Sequence, residues 1–121
     1  DLGSGFTMQI DDNFTYAHNI MYPNGTIYVV YTDVTDYLYN KKFIVAEQKP
    51  LDSFWVRYSS KFLSSPDEVD RAFKNFKVRQ YWIINKYTQE SYGPFTIQQY
   101  LDKKKELGVP DTLKLQFERQ R

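Results

Sequence analysis

From residue 14 to residue 58, short stretches of strand-forming residues follow one another with only turn residues between them. Residues 14–21, 26–32, 34–39, 43–48 and 53–58 draw heavily on Tyr, Phe, Val and Ile. Side chains of this kind fit a pleated, half-buried surface. The joints between the stretches are turn chemistry. Asn24-Gly25 takes the positive φ angles of a tight hairpin, Asn40-Lys41-Lys42 is a polar turn, and Pro50 with Asp52 breaks the pattern. Strands that succeed one another without intervening helices build an antiparallel sheet.

Helical text comes later. Ser65-Pro66-Asp67-Glu68 is a helix entry, and Val69, Ala72, Phe73 and Phe76 share one face, which predicts a helix over 66–76. Residues 78–85 form the most apolar strand, 86–89 a turn, and 90–92 a returning arm ended by Gly93-Pro94. A second helix starts at Thr96, whose capping-box mate is Gln99, with Phe95 and Tyr100 at the positions of a hydrophobic staple. Gly108 stops it and Pro110 lies just beyond. Ile97, Tyr100, Leu101 and Leu107 make its apolar stripe, and Lys103, Lys104 and Glu106 fall on the polar side. Leu113, Leu115 and Phe117 alternate as a last short strand, and residues 1–12 read as a polar tether. The expected fold is therefore one α+β domain over 13–121. It has an antiparallel sheet of about five to seven strands, a C-terminal helix packed on one face, and a second short helix.

Charge and residue usage narrow the function classes. Sixteen Lys and Arg against fifteen Asp and Glu leave a net charge of +1, without the basic excess that non-specific nucleic-acid binding needs. Lys103-Lys104-Lys105 and Arg119-Gln120-Arg121 read as solvated surface. There is no Cys, so thiol catalysis, disulfides and thiolate metal sites fall away together. His18 is the one histidine and has no flanking motif; an ordinary structural or surface role is expected of it. Asp11-Asp12-Asn13 and Asp33-Val34-Thr35-Asp36 offer oxygen ligands but lack the spacing of a calcium loop, and read as turn acids. No catalytic, cofactor-binding or metal-binding set is expected, and no apolar run is long enough to span a bilayer.

The aromatic load is the distinctive feature: 11 Tyr, 9 Phe and 2 Trp, with Tyr22, Tyr28, Tyr31, Tyr37 and Tyr39 crowding the first third. The ordinary reading is that these rings fill the core and pair across strands. The functional reading is an exposed stacking surface carried by Tyr28, Tyr37, Tyr39, Trp55 and Tyr58, suited to a sugar, a peptide or a protein.

Four stretches carry a family likeness: 40–48 (NKKFIVAEQ), 81–86 (YWIINK), Tyr92-Gly93-Pro94-Phe95, and 105–110 (KELGVP). In this order, with Tyr-Gly-Pro followed by a helix ending Glu-Leu-Gly, the chain resembles a family of small bacterial lipoproteins catalogued only as a domain of unknown function. The opening Asp1-Leu2-Gly3-Ser4-Gly5 is similar to the text that follows a lipoprotein cleavage site. The resemblance implies a lipid anchor ahead of Asp1 and a place in the bacterial cell envelope, periplasmic or at the cell surface. It implies no activity, cofactor or catalytic residue. The functional expectation is a non-enzymatic binding or accessory domain with a protein or glycan partner; the alternative is a glycan-binding module using exposed Tyr and Trp.

Overall fold

A computed structural model of the chain describes residues 2–10, 18–25, 27–51, 54 and 66–119. The strands divide between two antiparallel sheets. Strands β1 (Thr7–Ile10), β2 (His18–Met21) and β3 (Tyr28–Val30) lie in that order in a three-stranded sheet. Strands β4 (Val34–Tyr39), β5 (Phe43–Gln48), β6 (Gln80–Asn85) and β7 (Glu90–Phe95) form a four-stranded one. The helices with both ends among the described residues are α1 (Pro66–Lys74), α2 (Ile97–Leu107) and α3 (Gln116–Arg119). The fold is α+β, as expected, but the strands do not share one sheet.

The split occurs after β3. There the backbone of Asp33 exchanges two hydrogen bonds of 2.8 Å with Lys49, which lengthens the β4–β5 ladder. Strands β5 and β6 pair directly, from Phe43 opposite Asn85 to Gln48 opposite Gln80, although α1 lies between them in sequence. Both are covered on two faces. Phe43, Val45, Tyr81 and Ile83 point into one core with Tyr100, Val109, Leu113 and Leu115. Ile44, Ala46 and Ile84 point into another with Leu2, Phe6, Ile20, Val29 and Val30. Burial on both sides explains why these strands read as continuous apolar runs rather than alternating ones.

Helix α1 has its own small core. Phe54 meets Phe73 and Phe76 edge-on at centroid distances of 5.0 and 5.5 Å, with Leu51, Val69 and Ala72 packed around them. Buried Lys49 ties the helix end to the sheet, donating to the carbonyls of Phe73 (2.8 Å) and Lys74 (3.3 Å). Burial first, and the charge of Arg79 second, hold its pKa below the ordinary lysine value. Of the stretch read as a strand over 53–58, Phe54 is the one described residue, and it is helical, its N–H bonded to Pro50 O at 3.1 Å. The helix entry at Ser65 lies outside the described residues.

Helix α2 follows its local signals. Thr96 accepts from the N–H of Gln99 at 3.2 Å, Gln99 Oε1 accepts from the N–H of Thr96 at 3.0 Å, and Gly108 closes the helix at φ 71°. A cap of this kind contributes about 0.5–2 kcal/mol. Tyr100 is fully buried, and Leu101 and Leu107 pack at the edge of its core, whereas Ile97 is exposed.

Four expectations need correction. Residues 2–10 are not a loose tether: Leu2 and Phe6 are core residues, β1 pairs with β2, and buried Lys86 donates to Leu2 O at 2.5 Å. Gly93-Pro94 does not end β7, which continues to Phe95; β7 is an edge strand, where a proline without an N–H is tolerated. Residues 113–117 are not a strand. Leu113 and Leu115 reach the core from a loop, and Glu118 turns back to accept the N–H of Leu115 at 2.8 Å, starting α3. Lys104 is not on a solvated face. It is buried, and its ammonium meets Glu118 Oε1 at 2.7 Å and Leu113 O at 2.6 Å. The other oxygen of Glu118 accepts from Tyr100 at 3.0 Å. Burial, followed by the charge of Glu118, drives the Tyr100 hydroxyl far above its ordinary pKa.

Candidate functional site

On the face turned towards the three-stranded sheet, β5 and β6 present Ile44, Ala46, Gln48 and Ile84, Trp82, Gln80, every second residue of each strand. At one end of these rows Ile44 and Ile84 are sealed by Leu2, Phe6 and Ile20. At the other end the rows turn polar and the sheets leave a cavity of about 350 Å³. Gln48, Gln80 and Trp82 form its floor, residues 28, 29, 31 and 32 one wall, and Pro50, Leu51 and Pro94 the rest of the rim. A volume of this size is at the small end of the range for ligand sites, roughly 300–1,000 Å³.

The groove is held in shape by its own bonds. The Gln48 side chain spans it: Oε1 accepts from the Trp82 indole at 2.8 Å, and Nε2 donates to the carbonyl of Tyr31. The N–H of Thr32 donates to buried Asn19 Oδ1 at 2.7 Å. Behind the indole lies Gly93 at φ +145°, where an added Cβ would come 2.8 Å from both Trp82 Cε3 and Tyr81 O. The strand therefore presses its bare backbone against the ring and sets the ring's tilt. At the mouth, Tyr28 and Tyr31 meet at 4.8 Å with planes 65° apart, and each keeps nearly half of its surface in water (45% and 47%).

Two polar groups of the lining stay unspent. Thr32 is buried (3% exposed), yet its Oγ1 meets no hydrogen-bond partner among the described residues. An unpaired buried hydroxyl costs about 1–3 kcal/mol, and folded proteins rarely keep one. The half-buried Gln80 amide, among the described residues, makes no side-chain hydrogen bond either. The ten described lining residues are aromatic, aliphatic, amide or hydroxyl, and among them the two tyrosines are the ionisable ones.

The tyrosines singled out in the sequence divide. Tyr28 stands at the groove, joined by Tyr31. Tyr37 and Tyr39 are also exposed, on edge strand β4 opposite Ala46 and Ile44, and Tyr39 lies 5.3 Å from the ammonium of Lys86. Core filling is thus not the role of these four rings. Tyr22 does pack inward, 5.9 Å from Phe6. Trp55 and Tyr58 lie outside the described residues, as do Asp11, Asp12 and Asn13. His18 pairs with Asp33, Nδ1 to Oδ1 at 2.9 Å, and the same oxygen accepts its backbone N–H at 3.2 Å. Asp36 accepts the N–H of Gln116 at 2.7 Å, so both acids of the 33–36 stretch anchor segments distant in the chain, not the local turn expected of them.

Thr32, Gln48, Gln80, Trp82 and Pro94 were not anticipated as lining residues. A signal was present: Gln48 and Gln80 share the phase of Ile44, Ala46 and Ile84, so a polar group interrupts an apolar row in each of two paired strands.

Residues 9–119 match the family described as "Protein of unknown function (DUF3997)", and the chain belongs to that family. No curated protein and no solved structure matches it.

Proposed function

We propose that the chain is a non-enzymatic binding domain of the bacterial cell envelope, and that its ligand seats in the groove between the two sheets. The observation that carries this reading is the exposed Tyr28–Tyr31 pair above a floor already fixed by the Gln48 bridge. Exposed rings at the mouth of a preformed cavity supply contact area at little ordering cost. The neutral character of the described lining residues supports recognition of an uncharged ligand over proton transfer. The envelope placement and the lipid anchor rest on the likeness of 40–48, 81–86, 92–95 and 105–110 to small bacterial lipoproteins.

Cosedimentation with isolated bacterial envelope fractions tests the reading. The wild-type domain should pellet with the envelope, and Tyr28→Ala/Tyr31→Ala should stay in the supernatant. Equal pelleting of the two, or of neither, counts against it. Labelling the full-length protein in cells with a palmitate analogue tests the anchor, and an unlabelled protein removes that part.

A further inference from the structure

We propose that edge strand β4 is a self-association surface, on which a second copy of this chain pairs antiparallel about a two-fold axis through Leu38. Among the described strands, β1, β3, β4 and β7 lie at sheet edges. Strand β3 has three residues, β1 has four, and β7 carries Gly93-Pro94, features that hinder the addition of a further strand. Strand β4 has six residues without Gly, Pro, Lys or Arg. Its charged side chain, Asp36, is tied to the N–H of Gln116. The ladder to β5 fixes which backbone groups β4 offers. The N–H of Asn40 donates to Phe43 O at 3.0 Å, so it points towards β5, and N–H groups alternate along a strand. The register is regular from Asp36 to Tyr39. Asp36 and Leu38 therefore bond to β5, and the N–H and C=O of Tyr37 and Tyr39 face out of the edge. The same two residues expose their rings. None of the groove's described lining residues lies on β4, so this edge is a separate surface.

The strand is complementary to itself. With Leu38 on the axis, Tyr37 stands opposite the partner's Tyr39 and Tyr39 opposite the partner's Tyr37, and each pair exchanges its outward backbone bonds. The rings then meet as directly opposed aromatic pairs on one face. Asp36 stands opposite the partner's Asn40, so no like charges meet across the axis. A register centred on Tyr37 would instead set Tyr39 against the partner's Thr35, where β4 is bulged. A net charge of +1 leaves little repulsion between copies.

Sedimentation equilibrium over a concentration series tests the assignment. The wild-type chain should pass from monomer to dimer between micromolar and millimolar concentration. Exchange of the Tyr37 and Tyr39 amide hydrogens should slow as the dimer forms. Tyr37→Glu/Tyr39→Glu sets like charges against each other across the axis and should weaken the dimer at least tenfold. Tyr37→Lys/Tyr39→Glu sets opposite charges against each other in the same register and should recover most of that loss. Tyr39→Glu is common to both variants and lies beside the Lys86 ammonium in each, so the comparison isolates the pairing across the axis. Thermal melts of the dilute monomers should stay near wild type, because both rings are exposed, which separates lost pairing from lost folding. A chain that stays monomeric at millimolar concentration overturns the inference, whether its edge then takes a foreign extended peptide or nothing. A dimer unaffected by Tyr37→Glu/Tyr39→Glu also overturns it. A dimer that this variant breaks and Tyr37→Lys/Tyr39→Glu does not rebuild overturns the register about Leu38, and the proposal with it.

Discussion

The four-stranded sheet has two covered faces, and they treat their polar groups differently. On the face of Phe43 and Val45, a buried ammonium, a carboxylate and a phenol close on one another through Lys104, Glu118 and Tyr100. On the face of Ile44 and Ala46, the cover stops short at a cavity, and the buried hydroxyl of Thr32 beside it has no partner among the described residues. Removing one partner from a closed buried network strands the other, so the first face should be intolerant of change. The second face already carries a cost, the unpaired hydroxyl of Thr32. One side of the sheet is thus saturated in its buried polar groups and the other is not.

The largest effect should come from breaking the closed side. Glu118→Ala leaves the Lys104 ammonium buried with one carbonyl acceptor, and should cost about 3–5 kcal/mol in a denaturant melt. Lys104→Ala should cost more than Leu101→Ala, which at a half-buried position falls near the low end of core truncations, about 2 kcal/mol. The opposite order would mean that the Lys104–Glu118 pair is not held as described.

Alkaline titration probes the same face. Burial first, then the charge of Glu47, pushes the Tyr81 hydroxyl up from 10.0 to about 12. Below about pH 10 both folded and unfolded chains keep the proton, and the contribution is complete. As pH rises through about 12 the unfolded chain has lost its proton first, so stability falls across that window. Tyr81→Phe should flatten this decline between pH 10 and 12 in a series of thermal melts. An unchanged slope would separate Tyr81 from the effect.

Smaller effects belong to the open side. Gly93→Ala should cost about 1–3 kcal/mol, because the residue sits at φ +145° with Trp82 behind it, and the indole N–H resonance should move as well. Thr32→Val should stabilise by about 1 kcal/mol, a gain that no truncation on the closed face should give. Tyr28→Ala should stay within about 0.5 kcal/mol of wild type, as expected for an exposed ring. A large loss there would make the Tyr28–Tyr31 pair part of the scaffold and erase the contrast between the faces.

What was legible in the sequence was what is decided locally. The hairpin at Asn24-Gly25, the Thr96–Gln99 box and the Gly108 stop each depend on residues a few positions apart, and each is present in the structure. The division into two sheets was not legible, because pairing Phe43 with Asn85 across an intervening helix is set by non-local packing. Lys104 was misplaced for a related reason. Helical periodicity assigned it to the polar side, and the carboxylate that draws it inward lies 14 positions further along the chain. The exposure of Tyr28 was one of the readings considered, but the groove beneath it is assembled from residues between 28 and 94, and no spacing rule connects them.

The grip of Lys86 on the carbonyl of Leu2 has a mechanical side. With Leu2 and Phe6 wedged in the core and β1 zipped to β2 from Thr7 to Ile10, the first described residues act as a bracket and not as a leash. Force applied at Leu2 therefore passes directly into the core, and along β1 it acts in shear against the ladder.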